Sequence, residues 1–199
     1  MHNEPKLLRN ADHRRMPWKN GGGETVEVIV HPEGASLSDF GWRVSMATVA
    51  SDGPFSVFPG IDRTLAVLTG DGMALTIEGL GEGLGDKLLT PVTAPLPFPA
   101  DAPTTARLTG GPITDLNVMT RRGVFRHSLA HHVARGATAL AASSGQRLLL
   151  ALDPLGVTTP DGLMGLQPLD ALVFDGAETA EVVPAGDSAA FYLVEIAPA

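Results

Sequence analysis

The chain has 199 residues, a net charge of −8 and no cysteine, with hydrophobic residues at 44% and charged residues at 18%. That length suffices for one large β domain or two small ones with a buried core, and the composition excludes disulfides and thiolate metal sites. No apolar run approaches the roughly 18 residues of a membrane helix, and the opening MHNEPKLLRNADHRR is too polar for a signal peptide, so a cytoplasmic location is expected.

The 23 glycines and 16 prolines divide the sequence into short apolar runs. ETVEVIV, WRVSMATV, TLAVLTG, MALTIEG, DLNVMTR, RLLLALD, DALVF and FYLVEIA are each too short for an ordinary helix, and most alternate with period two or are β-branched. The pattern is that of an antiparallel sandwich or barrel.

The first unusual block is MPWKNGGGE, residues 16–24. It sets an aromatic plate, a cation, an amide and a carboxylate (Trp18, Lys19, Asn20 and Glu24) around three glycines. Such a turn can expose backbone amides to an anion, although a plain tight turn between strands is the commoner reason for such a block. In WRVSMATV, alternation sends Arg43, Ser45, Ala47 and Val49 to one face. The small side chains beside Arg43 assign that face to a cavity; the alternative leaves Arg43 in water with its stem packed flat.

The stretch GPFSVFPGIDRTLAVLTG, residues 53–70, runs strand, tight turn, strand and ends in glycine. It has the cadence of the first motif of a cupin barrel. Metal-binding cupins place histidines and a glutamate there; here those positions fall near Val57 and Pro59 and on Arg63. A cation in the carboxylate's position predicts an anionic small molecule as ligand, not a metal ion or other cofactor. Phe58 and Asp62 flank that arginine, and Asp115 and Asn117 lie two apart on one face of DLNVMTRR. A buried arginine needs a partner: Asp62, Asp115 or a ligand carboxylate can each supply one.

The Gly- and Pro-rich segment from Glu82 to Pro103 is expected to be a long loop, since its prolines exclude a central strand. Residues 125–142 read as a strand followed by a loop. His127, His131 and His132 have no acidic third ligand nearby and are expected not to bind metal. The second half repeats the strand and turn order of the first. After Arg147 there is no Lys or Arg, while eight acids follow, which argues against nucleic acid and anionic membrane as partners. That acidic half is either a solvated surface or a docking face.

Taken together, MPWKNGGGET, WRVSMATV, GPFSVFPGIDRTLAVLTG and DLNVMTRR resemble the HutD/Ves family across roughly residues 7–122. The resemblance implies an all-β RmlC-like bicupin: one jelly-roll barrel over residues 1–123 and a degenerate one over 124–199, without the usual metal ligands. It also implies a regulatory or accessory role in bacterial histidine utilisation, through binding a formimino- or formyl-glutamate-like carboxylate. Trp18, Lys19, Asn20, Glu24, Arg43, Ser45, Phe58, Asp62, Arg63, Asp115 and Asn117 are the candidate ligand-binding residues. The competing expectation is a metal-independent isomerase or hydrolase with Glu24 or Asp62 as base and Lys19 or Arg63 stabilising negative charge. A homodimer is the one oligomer that this reading leaves open.

Overall fold

A computed structural model of the chain describes residues 4–18, 21–79 and 86–199. Its strands in chain order are β1 (Lys6–Leu8), β2 (Arg14–Pro17), β3 (Gly23–His31), β4 (Trp42–Val49), β5 (Gly53–Pro54), β6 (Ile61–Thr69), β7 (Met73–Ile77), β8 (Lys87–Leu89), β9 (Leu96–Pro99), β10 (Thr104–Leu108) and β11 (Ile113–Arg121). They continue as β12 (Phe125–Ala134), β13 (Thr138–Leu140), β14 (Gln146–Ala151), β15 (Leu155–Thr159), β16 (Gly162–Leu166), β17 (Ala171–Asp175), β18 (Ala180–Pro184) and β19 (Ala189–Pro198). Each apolar run named from the sequence lies in or overlaps a strand, and the described residues contain no α-helix. Among the described residues, then, no helix is long and apolar enough to cross a membrane.

The chain forms two compact units. The first comprises Arg14–Arg126 with Ala199, and the second joins the segment up to His13 to His127–Pro198. The N-terminal strand thus belongs with the C-terminal half. β1 pairs with β17, Leu7 opposite Leu172, and the Arg9 guanidinium donates to Asp170 Oδ2 at 2.7 Å. No local pattern reveals this, because the partners lie some 160 residues apart in the chain.

In the first unit a six-stranded sheet, β2-β3-β4-β11-β6-β9, faces a four-stranded sheet, β5-β10-β7-β8. Between them lies a core of Ala47, Val49, Leu65, Val67, Phe98 and Ile113 from the larger sheet and Met73, Leu75, Leu89 and Ala106 from the smaller. The second unit pairs β1-β17-β14-β19-β12 with β13-β18-β15-β16, around Leu149, Leu172, Phe174, Phe191, Leu155, Val157 and Val182. Four strands of each large sheet correspond in order, β4-β11-β6-β9 to β12-β19-β14-β17, and the small sheets correspond strand for strand. Each unit is a two-sheet jelly-roll sandwich, not one sheet closed on itself.

The segment expected to be a long loop contains β8 and β9. Pro97 and Pro99 fit in β9 because it is the sheet's outer strand, where a missing N–H costs no ladder bond. Gly70, which ends the motif, has φ +92, and a Cβ there would sit 2.7 Å from the Pro112 carbonyl. Only glycine meets both conditions without strain. β12 is a strand as read, but the alternation breaks where Ala130 and His131 are both exposed.

Candidate functional site

The inner face of the six-stranded sheet is set by register. Arg43, Met119 and Arg63 form one rung across β4, β11 and β6; Ser45, Asn117 and Leu65 form the next; Ala47, Asp115 and Val67 the third. Directly opposed residues share a face, and Ala47, Leu65 and Val67 belong to the core between the sheets. Arg43, Ser45, Arg63, Asp115 and Asn117 therefore line that same interior, all of them buried.

Arg63 is 4% exposed, and its guanidinium carbon lies 5.2, 5.4 and 5.7 Å from the ring centroids of Phe55, Phe58 and Phe98. Ring faces stabilise a desolvated cation by about 2 kcal/mol but offer no hydrogen-bond acceptor. Nη2 donates one long bond, 3.4 Å, to the Ser56 carbonyl, and Nε has no partner. Burial lowers the group to about 10, partly offset by the Asp115 charge, so it is cationic at neutral pH.

Asp115 is 1% exposed. Asn117 Nδ2 donates to its Oδ1 at 2.6 Å, while Oδ2 has no partner. Desolvation raises the carboxyl to about 7, against the opposing pull of Arg63 and the Asn117 hydrogen bond. Arg43, by contrast, is matched. Its Nε donates to Glu27 Oε2 at 2.8 Å and its Nη1 to Ser45 Oγ at 3.3 Å. One arginine of the rung is thus neutralised within the protein and the other is not.

Two expected members lie elsewhere. Glu24 stands opposite Thr48 on β4 and pairs with Arg15 at 3.2 Å near the surface. Asp62 is bound by Arg122 at 2.8 Å, on a carboxyl 47% exposed. Adjacent strand residues point to opposite faces, so Asp62 cannot share the interior with Arg63. Neither residue is placed to act as a base there. Trp18 packs against the core of the first unit and donates its indole N–H to Thr25 Oγ1 at 2.8 Å, on the rung of Ala47 and Asp115. Lys19 and Asn20 lie outside the described residues. The glycine block closes a turn in which the Gly21 amide donates to the Trp18 carbonyl, and a Cβ at Gly23 would collide with the Thr48 carbonyl. Close packing explains Gly23, and a φ of +71 explains Gly21, without an anion.

The HutD family model matches residues 10–192. This chain belongs to the HutD family. It is 40% identical over 114 residues to an uncharacterised 21.2 kDa protein of the hutC 3′ region in Pseudomonas putida, 57% of each chain. It is 39% identical over 115 residues to protein Ves of Citrobacter koseri, 56% of each. These matches span little more than half of the curated relatives' length. Among solved structures it is similar to a conserved protein of unknown function from Pseudomonas aeruginosa PAO1, with TM-score 0.88, 29% identity and coverage of 98% of this chain and 100% of that one. HutD from Pseudomonas fluorescens SBW25 gives TM-score 0.79 and 30% identity, covering 98% and 99%. A cupin 2 conserved barrel protein from Leptotrichia buccalis, at 10% identity and TM-score 0.59, covers 98% and 97% and shares the fold.

The cupin metal site does not fit this HutD-family chain. Val57 is 51% exposed and has no ligating atom, Pro59 has none, and Arg63 repels a cation. Among the described residues no group of three His, Asp or Glu is placed to hold a metal ion. His131 and His132 instead pack their rings on Tyr192 and Phe191. Sequence reading missed Glu27, whose alternation within ETVEVIV gives it the right parity but not its partner. It also missed Phe55 and Phe98, the latter hidden among prolines.

Proposed function

We propose that this HutD-family chain is a metal-free small-molecule-binding protein that serves histidine utilisation in a regulatory or accessory role, by holding a formimino- or formyl-glutamate-like carboxylate on Arg63. The observation that carries this reading is a fully buried guanidinium, caged by three aromatic rings, with one long hydrogen bond and a partnerless Nε. Arginine binds carboxylate through paired N–H donors, and an apolar surround strengthens that contact. The setting of the Pseudomonas putida relative beside hutC supports the metabolic context. The Pseudomonas fluorescens HutD, solved in a formate condition, suggests the smallest carboxylate probe.

Calorimetric titration of wild type and Arg63→Met with N-formylglutamate, formiminoglutamate, urocanate, glutamate and formate tests the reading. At least one is expected to bind wild type and to bind the variant at least tenfold more weakly. Failure of every compound to bind wild type at millimolar concentration overturns it.

A further inference from the structure

Resting on that reading, we infer that Asp115 selects the other end of the ligand: the site takes carboxylates that also carry an N–H donor, and discriminates against those that do not. Two buried ionisable groups, one basic and one acidic, share one interior without satisfying each other. Arg63 keeps a partnerless Nε, Asp115 a partnerless Oδ2, and no ion pair joins them. Register explains the separation. Arg63 stands opposite Met119 and Asp115 opposite Val67, so the two rungs are four residues apart along β11, about 13 Å at the usual rise per residue.

The Ala47 backbone N–H bears on the Asp115 carboxyl, yet Oδ2 makes no hydrogen bond, and the side chains nearby are turned to other partners. Asn117, between the rungs, is spent on Oδ1. Arg43, on β4, turns its Nε to Glu27 of β3 and its Nη1 to Ser45. The facing sheet contributes Met73, Leu75 and Ala106, which are apolar. An oxygen whose lone pairs are buried is penalised until a donor reaches it. A ligand with its carboxylate on Arg63 and an amide, amidine or imidazole N–H a short carbon chain away satisfies both ends at once. A site built to hydrogen-bond a substrate N–H rejects the analogue that lacks it far more strongly than an apolar pocket rejects a missing methylene.

Two matched pairs of probes test this by calorimetry: urocanate against cinnamate, which replaces the imidazole by a phenyl ring, and N-formylglutamate against glutarate, which lacks the amide. In wild type the N–H member of at least one pair is expected to bind at least tenfold more tightly than its analogue. In Asp115→Leu, checked for a native circular dichroism spectrum, the preference is expected to fall to about twofold. Asp115→Asn, which keeps an acceptor oxygen but no charge, retains discrimination for the neutral amide and serves if the leucine variant does not fold. Equal binding within each pair by wild type, or a preference unchanged in Asp115→Leu, overturns the inference and leaves the carboxylate site standing. Absence of binding by all four probes overturns both.

Discussion

The two units carry the same device in the same place and finish it differently. Arg63 on β6 stands opposite Phe98 on β9; Arg147 on β14 stands opposite Phe174 on β17, the corresponding strand. Both guanidinium groups lie over the paired phenylalanine, at 5.7 and 4.4 Å from its centroid. In the second unit the arginine is tied to the protein, with Nη1 donating to the Ala141 carbonyl at 2.8 Å and Nη2 to those of Asp175 and Glu178. In the first it has one long bond. The neighbouring rungs diverge in step. Four residues before the arginine's partner on the central strand, β11 has Asp115 and β19 has Phe191; two before, they have Asn117 and Leu193. A buried arginine with a partnerless Nε is thus a property of this jelly roll; its Nη groups are used as a core fastener in one unit and hold a single long bond in the other.

The largest expected effect tests that division. Arg147→Met takes the donor from three carbonyls on exposed or half-buried backbone, Ala141, Asp175 and Glu178; with a hydrogen bond to a charged group worth about 1.5–3 kcal/mol, urea denaturation should register a loss of about 3 kcal/mol. Arg63→Met should change stability by no more than about 1 kcal/mol, because an apolar side chain of similar length suits the phenylalanine cage. Ligand binding should respond in the reverse order. Equal destabilisation by the two substitutions breaks the comparison.

Next in size is the N-terminal clasp of the second unit. Asp170 accepts the Asn10 amide at 2.9 Å, the Gln167 amide at 3.0 Å and the Arg9 guanidinium at 2.7 Å. Asp170→Ala should cost about 2–3 kcal/mol, with hydrogen exchange accelerating in β1 and β17 and not in β6 or β11. A third change sits at the close of the first unit's motif. Gly70→Ala combines φ +92 with a Cβ 2.7 Å from a backbone oxygen, a strain of about 1–3 kcal/mol that should lower the melting temperature by several degrees.

Much of this was legible before any fold was in view. Period-two alternation put Arg43 and Ser45 on one face, and Asp115 and Asn117 on another stretch of face, and the sheet register joined the two. The same rule, applied one residue further, separates Asp62 from Arg63 and turns Glu24 outward. What alternation cannot supply is the identity of the strand alongside. Glu27 meets Arg43 through a β3–β4 register that shifts at a bulge between Glu27 and Ile29, and local bulges re-aim side chains in ways that composition does not encode. Phe98 hides in a proline-rich run that looks like loop because the sequence does not mark which strand is an edge. The parallel between Arg63 and Arg147 emerges only when the two sheets are aligned strand by strand.

The last effect is spread over several pH units instead of falling on one substitution, and its sign differs between the units. Asp115 is raised to about 7 by desolvation, opposed by Arg63, with Arg43 on β4 and Glu27 on β3 the other charged groups facing it. Between about pH 4 and pH 7 the folded first unit therefore holds a proton that the unfolded chain has released, so its stability falls as pH rises, by at most about 1.4 kcal/mol per pH unit. Asp170 behaves in the opposite way. Burial works to raise it, but the Asn10 and Gln167 amides and Arg9 outweigh that and hold it below the ordinary carboxylate value. Its contribution is present above about pH 4 and is lost as pH falls through the folded value. Hydrogen exchange followed from pH 4 to pH 7 should show β6 and β11 loosening relative to β14 and β17. Asp115→Asn should remove that drift and leave the second unit's acid response intact. Parallel slopes in both units, or a drift unchanged in the asparagine variant, would mean that Asp115 is ionised throughout, and the contrast between the two interiors would lose its electrostatic half.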